Sequence, residues 1–180
     1  MGNTLLNDDA IGIIIVRYLW SYLRDSGDIE FKESSWGGFN IIDLIKGYDY
    51  LIIIDSIKTG SAQPGHIHKL KSTDLLPTLR LNSYHDINFI TAIKLAEALN
   101  EKMPENIDIL AVEVENNYLI VEDLTEKVKK SIDKCSKLII KILKNKKIVD
   151  RSFDDSVVRP IASNEDLQNL YEESYIRTNY

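Results

Sequence analysis

The chain has 180 residues and is 44% hydrophobic, enough to bury the core of one compact domain. Its 22 Lys+Arg stand against 28 Asp+Glu for a formal net charge of −6, and without a clustered basic run this excludes a nucleic-acid partner, because phosphate binding rests on grouped Lys and Arg. Cys135 is the only cysteine, which rules out an intramolecular disulfide and a cysteine cage for zinc, and fits the reducing cytoplasm.

Met1-Gly2-Asn3-Thr4 lacks the basic region that opens a signal peptide. The apolar stretch Ile11 to Val16 is too short to span a bilayer and is interrupted by Arg17. No membrane association is expected. Asp8 and Asp9 precede a segment from Ala10 to Leu23 that ends at Asp25-Ser26-Gly27. Its Ile-Ile-Ile-Val run suits a strand by propensity, but its length, acidic start and terminal glycine predict a helix.

Ile29–Lys32 reads as a short strand, followed by a loop carrying Trp36-Gly37-Gly38. Asn40 suits the cap of a short helix over Ile41–Lys46, ended by Gly47. Tyr50–Asp55 is a continuous apolar run of strand length, the pattern of a central strand covered on both faces. Pro64-Gly65 turns the chain into a further strand over His66–Leu70. Ser83, followed three places later by Asp86, resembles a capping box and opens a helix to about Leu99. Ile107–Val114 is another strand, and Thr125 to Leu143 a helix burying Val128, Ile132, Cys135, Ile139 and Ile142 at helical spacing. Alternating strands and helices predict a three-layer α/β/α sandwich around a mixed, mostly parallel sheet. Residues 1–149 form that domain. Residues 150–180 turn polar and acidic and read as an appendage, with Leu167, Leu170, Tyr171 and Tyr175 on one amphipathic helix.

Three segments put a ligand-type residue at the end of an element: Asp8 and Asp9 at a helix start, Asp55 at the carboxyl end of the most apolar strand, and His85 in the first turn after Ser83. Ligands of α/β sheets bind outside the carboxyl ends of the strands, so all three segments fit one rim. Each residue also has a plain reading: helix-start acids satisfying free N–H groups, a turn aspartate closing a strand, and an ordinary helix-start histidine. His66 and His68, two apart, share a face of their strand and suit either a metal or an exposed outer surface. Cys135 on the apolar stripe of its helix reads as a packed, inert thiol. The chain holds no Ser/His/Asp elbow, Walker loop or His-Glu-x-x-His run.

Taken in order, the blocks resemble the hydrogenase maturation proteases. Gly2-Asn3-Thr4-Leu5-Leu6-Asn7-Asp8-Asp9-Ala10-Ile11-Gly12 is similar to that family's opening signature. Leu51 to Gly60 with Pro64-Gly65, then Ser83-Tyr84-His85-Asp86, and Leu124-Thr125-Glu126-Lys127-Val128 resemble its later blocks, over roughly Gly2 to Leu143. The resemblance implies an aspartyl-type endopeptidase that removes the C-terminal extension of a [NiFe]-hydrogenase large-subunit precursor, the enzyme acting as a monomer. It also implies a metal-binding and catalytic trio of Asp9, Asp55 and His85, with Asp8 not a ligand. The nickel would arrive on the substrate, and cadmium or zinc could replace it in vitro. Two carboxylates and one imidazole suit such borderline divalent ions, and three ligands leave positions open for substrate. Two other functions remain open: a metal-dependent binding or chaperone-like module that recognises the precursor without cutting it, and a small-molecule hydrolase on the same scaffold.

Relatives carry a short apolar strand before the Gly-Asn pair, where this chain has only Met1. The expectation is a sheet short by one strand, with the natural protein longer upstream. Otherwise Lys147-Ile148-Val149 is the only spare strand-like piece. Near Ala111-Val112-Glu113-Val114-Glu115 many relatives have Gly-x-Gln-Pro, a difference that points to a subgroup.

Overall fold

The computed structural model describes residues 1–26, 28–34, 40–71, 89–115, 120, 123–159, 161 and 163–172. A 3-10 turn, Asn7–Ala10, leads into α1 (Ile11–Leu23). Then follow α2 (Asn40–Ile45), β1 (Tyr50–Ile57), β2 (Ile67–Lys71), α3 (Phe89–Ala98), β3 (Asn106–Glu113), α4 (Glu126–Lys129), α5 (Ser131–Asn145) and α6 (Asn164–Glu172). Among the described residues the sheet has three strands in the order β1-β3-β2, with β1 parallel and β2 antiparallel to β3.

The period-two alternation of the strands sends side chains to two separate cores. Ile54, Leu110 and Val112 pack with α1 and α5, where Ile11, Ile14, Ile15, Ile132, Ile139 and Ile140 are buried. Ile53, Ile107 and Ile109 pack instead with Ile41 and Ile45 of α2 and Ala92 and Ile93 of α3. Helices therefore cover both faces, as the expected α/β/α sandwich requires. Cys135 is fully buried on α5, and burial pushes its thiol up to about 12. Val149, Val158, Leu167 and Leu170 join the α1/α5 core. Arg17 ties α6 down by donating from Nη1 to the carbonyls of Leu170 at 2.7 Å and Tyr171 at 2.9 Å.

Several sequence expectations change in the folded chain. The helix expected over Thr125–Leu143 is two, α4 and α5, with Lys130 between them. The Tyr50–Asp55 run extends to Ile57 and, among the described residues, lies at the sheet edge, while β3 takes the centre. Residues 29–32, expected as a strand, are not part of one. Extended backbone becomes a strand only with a neighbour to share its ladder, and what separates this segment from β1 is a cavity of about 200 Å3 lined by Ile29, Phe31, Leu44, Leu51, Ile53 and Leu143. Met1 and Gly2 close one end of the slot: the Met1 amine donates to the carbonyl of Ile54, and the Gly2 N–H to that of Ser34 at 3.1 Å. Lys147–Val149 is not a strand; Ile148 lines the same slot and Val149 is buried. Ser83, Asp86 and the Trp36-Gly37-Gly38 loop lie outside the described residues.

Candidate functional site

The site is built where the chain leaves β1 and enters α1. Both glycines that bracket the opening motif are required by close backbone approach. A Cβ on Gly2 (φ +146°) would lie 2.1 Å from the carbonyl oxygen of Asp9. One on Gly12 would lie 2.2 Å from the Met1 oxygen and 2.5 Å from that of Ile54, so the first turn of α1 rests directly on β1 backbone. This contact carries Asp9 to the carboxyl end of β1.

The two neighbouring aspartates then diverge. Asp8 is fully buried and spends its carboxylate on a distant loop: Oδ1 accepts from the Thr125 N–H at 2.7 Å and Oδ2 from the Thr125 hydroxyl at 3.1 Å. Asn7 works beside it, donating from Nδ2 to the Asp123 carbonyl at 2.7 Å. Together they anchor the chain entering α4.

Asp9, only 4% exposed, accepts the Ser56 hydroxyl on Oδ1 at 2.6 Å. Asp55, 9% exposed, accepts the Ser56 N–H on Oδ1 at 2.9 Å. One residue therefore touches both carboxylates, its side chain on one and its amide on the other. The Met1 amine lies beside the same pair: burial lowers its pKa, and the charges of Asp55, Asp9 and Glu33 oppose that shift. The structure thus brings Asp9 and Asp55 to one rim. His85 lies outside the described residues, and among those described no third His, Cys, Asp or Glu joins the pair to make a metal cluster. Chemically, two shielded carboxylates beside a serine offer hard oxygen donors to a cation, or a base for water when one is ionised.

The rim extends across the sheet. Asp55 pairs in register with Ala111, and Ala111 with His68, placing all three in one row on one face. His66 and His68 touch edge to face, with ring centroids 4.8 Å apart. His68 is not a plain outer-strand histidine: its Nε2 lies 2.8 Å from Oε2 of Glu113, whose side chain is 2% exposed. Glu113 also accepts from the Thr59 N–H, the Thr59 hydroxyl and the Gly60 N–H at 2.7, 2.7 and 2.8 Å. Burial raises the pKa of its carboxyl, but these hydrogen bonds outweigh burial and hold it below its ordinary value. Sequence reasoning passed over Glu113 and Ser56 as site residues. The available signal was an acid directly after the apolar Ile109–Val112 run, where a carboxylate is buried only with partners to satisfy it.

A family model described as hydrogenase maturation protease matches residues 13–142. Among solved structures, the chain is similar to the hydrogenase maturating endopeptidase HybD from E. coli, with TM-score 0.65 and 23% identity over 81% of this chain and 89% of that one. A solution structure of an endopeptidase from Escherichia coli superposes at TM-score 0.67 and 23% identity, covering 86% and 96%. The [NiFe] hydrogenase maturation protease HybD from Thermococcus kodakarensis gives 0.56 and 20%, covering 78% and 93%. No curated protein matches the sequence. At such identities the structural likeness speaks for the fold, and the family model, spanning well over half the chain, for descent. The chain belongs to the hydrogenase maturation protease family.

Proposed function

We propose that this peptidase removes the C-terminal extension of a [NiFe]-hydrogenase large-subunit precursor once nickel has been inserted, with Asp9, Asp55 and His85 forming the catalytic and metal-recognising trio. One observation carries the reading. Asp9 and Asp55, 46 positions apart, flank a single serine at the carboxyl end of β1, while Asp8 is committed to Thr125. Two shielded acids at one strand end offer oxygen donors to an incoming cation, whose charge offsets the cost of burying carboxylates. The nickel belongs to the substrate. This chain's residues receive it and orient the adjoining peptide bond. An ionised carboxylate of the pair takes a proton from water as the water oxygen attacks the carbonyl carbon; the C–N bond breaks, and the proton passes to the departing amine.

The test incubates the protein with nickel-loaded and with metal-free precursor and reads the C-terminal mass of each. Cleavage of the loaded form alone, abolished by Asp55→Asn, is the expected result. Equal cleavage of both forms would remove nickel from the mechanism. A stable complex with no change in mass would replace peptidase activity with a binding role. For location, among the described residues no helix is long and apolar enough to cross a membrane; the cytoplasm, as the compartment of a reduced thiol and of a metal-loading substrate, is part of the proposal.

A further inference from the structure

The loop that leaves Asp55's strand runs from Lys58 to His66 and crosses the end of β3 to reach β2. Thr59, Gly60, Ser61 and Gln63 in it are exposed. Glu113 grips it at both ends: Oε1 accepts the successive N–H groups of Thr59 and Gly60, and Oε2 accepts the Thr59 hydroxyl and lies against His68. The Glu113 backbone grips the far end, its N–H donating to the His66 carbonyl and its carbonyl accepting from the Gly65 N–H, both at 2.8 Å. Two successive amides pointed at one oxygen form a small anion nest, completed here by Gly60 at φ +69°. Gly65, at φ +85°, is pressed against α4, where a Cβ would meet the Lys127 oxygen at 2.5 Å. The outer side of this loop, with His66 and Lys134, lines an open cleft. Glu113 shares its sheet face with Asp55, one same-face position further along, opposite Ile57.

We propose that Glu113 is a positioning residue of this peptidase, clamping Thr59, Gly60 and His68 so that the loop after Asp55 forms a fixed wall beside the Asp9/Asp55 rim, against which the precursor binds. The inference rests on the assignment of the reacting centre to the Asp9/Asp55 rim. Glu113 does not touch the reacting atoms. Its loss therefore acts on substrate binding and leaves the chemical step nearly alone.

The experiment compares Glu113→Ala, Glu113→Gln, Thr59→Val and Asp55→Asn for steady-state cleavage of the precursor, precursor affinity by calorimetry, and amide exchange at Thr59 and Gly60. Glu113→Ala should raise KM and Kd about tenfold or more with kcat within about threefold, and should speed exchange at both amides. Glu113→Gln retains an acceptor oxygen for both amides and should stay within about threefold of the wild type. Thr59→Val removes the hydroxyl that donates to Glu113 and accepts the Ser61 N–H at an exposed position, so it folds even where Glu113→Ala does not, and it should raise KM and Kd about twofold to threefold. Unchanged KM and Kd in folded Glu113→Ala, or in Thr59→Val should that protein fail to fold, overturns the proposal. So does a fall confined to kcat, or a Gln variant as damaged as the Ala variant. Wild-type cleavage by Asp55→Asn would instead sink the assignment of the reacting centre, and the calorimetric and exchange results would then still decide whether Glu113 holds the wall.

Discussion

Arg17→Met is the sharpest probe of how the C-terminal segment is held. The Arg17 guanidinium meets Glu33 with two parallel bonds, Nε to Oε1 and Nη2 to Oε2, both 2.7 Å, and donates from Nη1 to two carbonyls of α6. Side-chain exposure is 8% for Arg17 and 12% for Glu33, so this is a shielded pair. Methionine keeps the packing of the stem, but it leaves the Glu33 carboxylate without its cation and two carbonyls without donors. Breaking one side of a shielded pair costs about 3–5 kcal/mol. The stranded carbonyls add less than their usual ~1–3 kcal/mol each, because the end of α6 can fray into water. At roughly 2–4 °C per kcal/mol for a chain of this size, the melting temperature should fall by about 10 °C or more. The double variant Arg17→Met/Glu33→Leu removes both charges and should recover at least ~2 kcal/mol relative to the sum of the single changes. Urea denaturation gives the energies, and amide exchange at Leu167 to Tyr171 should quicken in the single variant. A loss below ~1 kcal/mol, the range of exposed pairs, would refute the reasoning.

Asp55→Asn keeps the shape of this buried side chain and an acceptor for the Ser56 N–H, so it should cost no more than about 1.5 kcal/mol and abolish cleavage, whereas Ile53→Ala, in the core between β1 and α2, should cost roughly 2–5 kcal/mol; denaturation paired with the C-terminal mass assay separates the two. Gly12→Ala must push α1 away from β1 and should cost about 3 kcal/mol, at the upper end of overpacking; a near-neutral result in urea would show that the helix rides higher than the structure indicates. Five or six β-branched residues placed ahead of Met1 should fill the slot between β1 and Ile29–Ser34 and raise the melting temperature by about 5 °C or more, and an unchanged value would mean that the slot does not seat a strand. The carboxyl of Glu113 titrates below its unfolded value, so its contribution is present above the ordinary glutamate range and is lost as pH falls through the lower, folded value; the acid limb of the stability profile should be steeper in the wild type than in Glu113→Gln.

The amino-acid pattern alone located most of the elements. Helical spacing of apolar residues located α1 and α5, the unbroken Leu51–Ile54 run located β1, and Pro64-Gly65 located the turn before β2. Those are local properties, set by backbone sterics and side-chain period within one segment. The opening block and its successors also carried the family resemblance and singled out Asp9 and Asp55. The tertiary structure decided what depends on a distant partner. Asp8 and Asp9 are equivalent as helix-start acids, and they separate only because Thr125 reaches one and Ser56 the other. Residues 29–32 have strand composition, yet a strand needs a paired neighbour, and a slot lies where that neighbour would be. Arg17 reads as an interruption of an apolar helix until Glu33 and α6 fold onto it. Glu113 reads as a stray acid at a strand end until the loop after Asp55 wraps its amides around the carboxylate. A buried polar group takes its role from whatever satisfies it, and for Asp8, Asp9, Arg17 and Glu113 the satisfying groups named here lie between 16 and 154 positions away in sequence.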